Sequence, residues 1–309
     1  AVGGLLWLTF EQESVFLPDD RQPDAVSANY AELLLTAHPQ DDALRIKLLD
    51  LLITLGEYPR ARKHLNQWPH PNTTVARLYG LQLDQLMLPK DADDAARTSL
   101  VERLSTLDRA QLPIAALERM ARLLLVLQAP GLAGQCYAEL AERDPARRLA
   151  WLSSAAQWSM AGQQPGRAAD LYLQLEASSS TPAQHKHYLR QAFDALIAAD
   201  RGAEAAALLS RQVAQLDDPV SDPHWLEQGV EAAIAHDQLQ EAQALLQQWR
   251  TLQPGNLAAL RKEFRLRLAF GDQDGAWRVG QELLQIEAGD AAFLQQMARL
   301  GEWKGDNYQ

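Results

Sequence analysis

A short punctuated phrase ending in alanine recurs along the chain at nearly one period. It reads LGEYPRA (55–61), LQAPGLA (127–133), AGQQPGRA (161–168), ADRGAEA (199–205), HDQLQEA (236–242) and FGDQDGA (270–276). The closing alanines are Ala61, Ala133, Ala168, Ala205, Ala242 and Ala276, and Ala96 in DADDAAR fills the one gap. Successive spacings are 35, 37, 35, 37, 37 and 34 residues. A period of this size marks an array of supersecondary units, none of which can bury its apolar face alone. Stacked units then share one core, each touching only its neighbours.

A second set of residues runs in phase. Trp151, Tyr188 and Trp225 are 37 apart, and Ala155, Ala192 and Gly229 follow each by four. Residues at i and i+4 share a helix face, so the small one admits a neighbouring helix and the aromatic fills the space beside it. Four residues after the closing alanine stand Leu65, Leu100, Tyr137, Tyr172, Leu209 and Leu246, whereas the last repeat has Gly280.

Each unit therefore reads as helix A, tight turn, helix B. The expected A helices are 42–55, 73–88, 113–127, 147–161, 182–199, 222–236, 256–270 and 290–303. The expected B helices are 24–37, 58–68, 92–107, 132–142, 166–177, 203–216, 240–252 and 274–287. Pro39, Pro71, Pro145, Pro182, Pro219 and Pro254 fall between units, where a helix must stop. No segment keeps the period-2 alternation of a strand for more than a few residues. The fold class is all-α.

The aromatic, the small residue four later, and the Gly-Asp before an Ala-rich second helix resemble the tetratricopeptide repeat (TPR). Residues 150–176 and 223–254 match best, and the resemblance covers about 24–309. It departs at the site seven after the closing alanine, where the family carries a small residue and this chain has Trp68, Leu140, Leu175 or Trp249. The resemblance implies a right-handed superhelical solenoid of about seven to eight degenerate units. It implies a non-catalytic protein–protein interaction scaffold, with A helices on the inner face. A narrower resemblance rests on the apolar start, repeats rich in Trp, Leu and Gln, and ARLGEWKGDN (298–307). These look like the N-terminal periplasmic part of the Pel exopolysaccharide secretion porins, whose scaffold recruits an enzyme that deacetylates and cleaves the polymer. Cellulose-type export porins carry similar scaffolds and are a rival. That likeness implies a periplasmic location within a longer, membrane-associated protein.

The first ten residues, AVGGLLWLTF, are too few to span a bilayer, which takes about 20 apolar residues. Two readings of residues 1–20 stay open: the trailing end of a membrane anchor, or a segment packed on the first helices. Trp7 and Phe10 beside Glu11 and Glu13 suit a membrane interface. At the other end Gly305-Asp306 repeats Gly271-Asp272 after 34 residues, so the array is expected to continue past 309. Helix 290–303 is then expected to expose Phe293, Met297 and Leu300.

Recognisable catalytic chemistry is sparse. No zincin motif, phosphate-binding glycine loop or nucleophile elbow occurs. His185 and His187 point about 200° apart on a helix and cannot readily clasp one metal. Asp91, Asp93 and Asp94 lack the glycine and closing Glu of a calcium loop. Cys136 stands alone, so neither an intrachain disulfide nor a thiolate zinc site can form. No enzyme activity, cofactor or metal is expected. The tryptophans at 68, 151, 158, 225, 249, 277 and 303 are expected in the core, with sugar stacking as the alternative and, with it, a carbohydrate-binding or carbohydrate-guiding conduit.

Charge carries the last expectation. The formal net charge is −11, which argues against nucleic acid as a partner. The A helices before the last hold thirteen basic and nine acidic residues, a net of +4, which leaves −15 elsewhere. The candidate partner-binding residues are Arg261 and Arg265, one turn apart, with Arg147 and Arg190. A basic ridge of this kind selects an acidic protein surface.

Overall fold

The computed structural model describes residues 24–89, 94–214, 222–287 and 291–306. Among these, all regular structure is helical: sixteen α-helices and two 3-10 turns. Two compact units divide at Arg148/Leu149. The first holds Ala25–Ala37, Asp42–Thr54, Tyr58–Asn66, Thr74–Leu86, Asp94–Ser105, Ile114–Val126 and Pro130–Arg143. The second, from Arg148–Ala161 on, holds Pro165–Ala177, Pro182–Ala198, Gly202–Ala214, Pro223–Ala235, Leu239–Leu252, Leu257–Ala269, Gln273–Ile286 and Ala291–Asp306. All sixteen expected helices are present, with ends shifted by a few residues. The proposed anchor, 1–20, lies outside the described residues, as does Pro219. No helix among the described residues is long and apolar enough to cross a membrane.

The punctuation has a single geometry. Gly56, Gln128, Gln163, Asp200, Asp237 and Gly271 all have left-handed backbones, with φ between 56° and 75°. Each stands five residues before a closing alanine. At each, two backbone bonds end helix A: one from the left-handed residue (Gln163 N to Met160 O, 3.1 Å) and a longer-range one from its successor (Gln164 N to Ser159 O, 2.9 Å). This is a Schellman motif, which satisfies carbonyls that a helix end otherwise leaves open. Helix starts are capped in turn: Asp41 accepts from Leu44 N, Thr181 from Gln184 N and Asn256 from Ala259 N.

The turns set helix B at a fixed offset, and the closing alanine lands at the contact. Ala61, Ala133, Ala168, Ala205, Ala242 and Ala276 are wholly buried. Ala96 is the exception and is half-buried. The second marker behaves likewise, since Trp151, Trp225, Ala155 and Ala192 are buried. A methyl group on Gly229 would lie 2.6 Å from Leu209 Cδ2, so glycine admits that approach and a larger residue would have to displace the leucine. Gly280 has the same cause: a Cβ there would lie 2.2 Å from Met297 Sδ. Met297, from the next helix, fills the space above it.

That contact corrects an expectation. Phe293, Met297 and Leu300 are not an exposed stripe. Met297 is buried with Leu260, Phe264 and Leu283, and the other two pack against the same cluster. The last helix uses this face to cover the preceding pair, and among its described side chains Leu294 is a large apolar one turned outward. Arg147 also moves, from helix A into the 3-10 turn Pro145–Arg147 before it.

Arginines staple the loops. Arg45 is buried, forms no ion pair among the described residues, and donates to Pro39 O (2.8 Å) and His64 O (3.1 Å). Burial pushes its pKa below the ordinary arginine value. Arg143 likewise donates to Leu112 O (2.6 Å) and Arg109 O (3.2 Å). These bonds tie the side chains to loop carbonyls and give those carbonyls a charged donor.

The turn geometry gives a stability test. A Cβ on Gly271 would meet nothing within 4 Å, so Gly271→Ala isolates the cost of a left-handed backbone. It should destabilise by about 1–2 kcal/mol, while Gln163→Gly should stabilise by several tenths to about 1 kcal/mol. Urea midpoints check both, and no change at Gly271→Ala contradicts the assigned turn.

Candidate functional site

Asn256 caps Leu257–Ala269, and the helix buries Leu260, Phe264 and Leu266. Arg261 and Arg265 each follow a buried residue by one position, so they lie together at the edge of the core face. Both line a cleft of about 340 Å3 with Phe264, Leu283, Phe293 and Gln296. Phe264 and Phe293 meet edge to face, with centroids 5.2 Å apart. Arg261 Nη2 donates to Glu287, another residue of the lining, at 2.5 Å, and both side chains are about half exposed. Arg265 is exposed and has no ion pair among the described residues. The cleft thus holds two guanidinium groups, one carboxylate and an apolar floor. Chemically, it can seat a carboxylate while covering an adjacent apolar group.

The other two candidates have different surroundings. Arg190 donates to Asp194 (3.1 Å) and, at longer range, to Asp222 and Gln228 (both 3.5 Å). Its guanidinium lies over the Trp225 ring, 5.3 Å from the centroid. Arg147, in the first unit, donates to Asp144 at 2.8 Å and lies 4.0 Å from Glu118. The structure therefore brings Arg261 and Arg265 together and ties Arg190 and Arg147 to carboxylates of their own.

Beside the cleft runs an ion-pair network. Glu263 is held between Arg250 and Arg267, Arg250 also pairs with Glu282 (2.7 Å), and Arg267 with Asp272 (2.6 Å). Burial disfavours the Arg267 cation, but Glu263 and Asp272 outweigh it and raise its pKa. The Asp272 carboxyl is held below its ordinary value, first by the Gly275 N–H and then by Arg267. Such lateral pairs were not anticipated, although they leave a trace in the sequence. Arg201–Asp170, Lys262–Glu231, Arg190–Asp222 and Arg250–Glu282 join opposite charges 31 or 32 residues apart. The aromatic pair Phe264–Phe293 carried no comparable signal.

Other candidates for chemistry are occupied structurally. His185 contacts Glu176 (3.2 Å) and Gln212 (3.2 Å), while His187 packs on Tyr188. Among the described residues no group of three His, Cys, Asp or Glu could hold a metal. Asp91 and Asp93 lie outside the described residues. Asp94 sits in the first turn of its helix, with Arg97 at 3.3 Å. Burial pushes the Cys136 thiol up to about 11, away from the reactive thiolate. Trp68, Trp151, Trp225 and Trp249 are buried, Trp158 and Trp277 are half-buried, and the Trp303 side chain is outside the description.

The chain matches no protein-family model and no curated protein. Solved structures that it resembles are tetratricopeptide-repeat proteins. YrrB, a TPR protein with an unusual peptide-binding site, is 16% identical over 66% of this chain and 98% of its own, with a TM-score of 0.37. The C-terminal part of a TPR repeat-containing protein from Cytophaga hutchinsonii is 13% identical over 81% and 98%, also at 0.37. The TPR domain of P58(IPK) is 13% identical over 91% and 93%, at 0.29. At these values the helix-pair architecture rests on this chain's own geometry.

Asp272 gives the pH test. Its folded pKa lies below an unfolded value of about 3.9, so its contribution is present above that pH and is lost as pH falls through the folded pKa. Asp272 is also the N-cap of Gln273–Ile286. Asp272→Ala should cost about 1 kcal/mol at pH 7, and its deficit should narrow below about pH 4. Unfolding curves for both proteins from pH 7 to 2 check this, and a constant deficit contradicts it.

Proposed function

We propose that this chain is a non-catalytic protein–protein interaction scaffold, and that the Arg261–Arg265 cleft receives an acidic segment of its partner. The observation that carries this reading is the seating of Glu287. A carboxylate already rests on Arg261, while Arg265 beside it has no counter-ion among the described residues. A partner carboxylate on Arg265 would gain a charge-assisted bond, and a neighbouring apolar residue would cover Phe264 and Phe293. The sugar-guiding alternative has less support, because Trp68, Trp225 and Trp249 are committed to the core.

The finer reading follows from the sequence resemblance. The scaffold is periplasmic, belongs to a longer membrane-associated protein of a Pel-type exopolysaccharide export machine, and recruits the enzyme that deacetylates and cleaves the polymer. An acidic patch on that enzyme would meet the basic cleft, and electrostatic matching would speed encounter and suppress wrong partners.

Binding of the Pel-system deacetylase/hydrolase to wild type and to an Arg261→Glu/Arg265→Glu variant, across a salt series, tests this. The variant should bind about tenfold or more weakly at low salt, and the gap should shrink as screening rises. Equal affinity at low salt, in a variant that remains folded, removes both residues from the site.

A further inference from the structure

The first unit has a second cleft, of about 440 Å3, whose charge is unlike that of the chain around it. Arg62, Arg77 and Arg103 line it, from three different helices, against the single carboxylate of Asp84. The two oxygens of Asp84 are divided between neighbours: Arg62 donates to one at 2.5 Å and Arg103 to the other at 3.1 Å. Both guanidinium groups therefore flank one carboxylate, and each has further N–H donors with no side-chain acceptor among the described residues. Arg77 is exposed and has no ion pair among the described residues. Formally the cleft carries +2 in a chain whose net charge is −11. Leu65, Ala76 and Leu81 form its apolar wall.

An independent feature keeps it open. Arg77, Gly80, Leu81 and Asp84 share one face of Thr74–Leu86, because they are spaced by three, one and three residues. Gly80 stands mid-helix between the arginine and the aspartate. Glycine weakens a helix interior, so its presence asks for a reason. At Gly229 and Gly280 the reason is packing, since a Cβ would collide with a neighbour. At Gly80 it is not: the nearest atom to a Cβ would be Leu65 Cδ2 at 3.6 Å, an ordinary contact. The missing side chain leaves room in the cleft rather than room for a helix.

We infer that this cleft is a binding site for a phosphoryl group of a small molecule, held by Arg62, Arg77 and Arg103 over Gly80. Charge decides the class. After Asp84 the excess is +2, which one phosphate monoester nearly balances with its −1.5 to −2 at neutral pH, whereas a single carboxylate leaves half of it. The arginine fork suits planar, paired contacts to phosphoryl oxygens. A volume of about 440 Å3 lies in the range of small-ligand sites. The site lies in the first unit and does not rest on the partner reading of Arg261 and Arg265.

The probe is sodium phenyl phosphate, titrated into the whole chain by calorimetry, with sodium chloride holding the ionic strength constant. Binding should saturate at one site per chain. Arg77→Gln should weaken it about tenfold, and Gly80→Leu, which fills the cleft and leaves every charge in place, should weaken it at least as much. Arg265→Gln should leave it unchanged. Thermal melts show that each variant is folded, and Gly80→Ala, which the contact distance tolerates, serves as a milder filling. Three results overturn the inference: no saturable binding, wild-type affinity in a folded Gly80→Leu variant, or tighter binding of a glutamate-rich peptide than of phenyl phosphate. The last would make the cleft a protein-docking surface instead.

Discussion

Most units of this chain depend on a small, fully buried side chain where two helices pack. Helix axes in contact lie about 8–10 Å apart, and the lower end is reached only when the residues between them are small. Six closing alanines occupy such points with no exposed surface. Gly229 and Gly280 go further, because even one methyl group would collide with Leu209 or Met297. Large side chains beside the contact, such as Leu209, Leu246 and Trp249, then fill the remaining core. Their burial supplies the favourable free energy, about 25 cal/mol per Å2 of apolar area.

Given that contact, the rest of each unit is arranged to reach it. The left-handed residue five positions before the alanine reverses the chain, and its Schellman bonds close the end of helix A. Four of the six positions lack glycine, which concedes some local strain. Arg45 and Arg143 bond carbonyls of the connections between helices. Ion pairs hold seven of the thirteen basic residues that the sequence places on the A helices before the last, and some, such as Arg119–Asp50 and Lys262–Glu231, join neighbouring repeats. Arg265 and Arg77 are exposed cations without ion pairs among the described residues, and each lines a cleft.

The helices were legible because their signal repeats. One phrase such as ADRGAEA is ambiguous, but repetition in register marks the turn and the buried face together, and six of the seven phrases show both. The exposed stripe expected at Phe293, Met297 and Leu300 failed for a reason also present in the sequence. Gly280 breaks the large-residue rule, and the missing volume is supplied by Met297, a residue in a different helix. Such exchange of volume across helices cannot be read from periodicity. The candidate site was half legible. Arg261 and Arg265 were found from their i, i+4 spacing, but that spacing could not separate them from Arg190 and Arg147, whose partners are set by three-dimensional contact. Glu287, Phe264 and Phe293 join the cleft through packing between three helices.

The exchange of volume at Gly280 tests the role of the small residue most directly, through a double-mutant cycle with Met297. Gly280→Leu should overpack the contact and cost about 1–3 kcal/mol, and Met297→Ala should leave a cavity and cost about 2–5 kcal/mol. Combined, the new leucine occupies the space the methionine leaves. The double variant should then be more stable than the sum of the two losses predicts by at least about 1 kcal/mol. Strictly additive losses, in variants that keep their helical circular dichroism, would show that the close approach at Gly280 does not set the packing of the last helix.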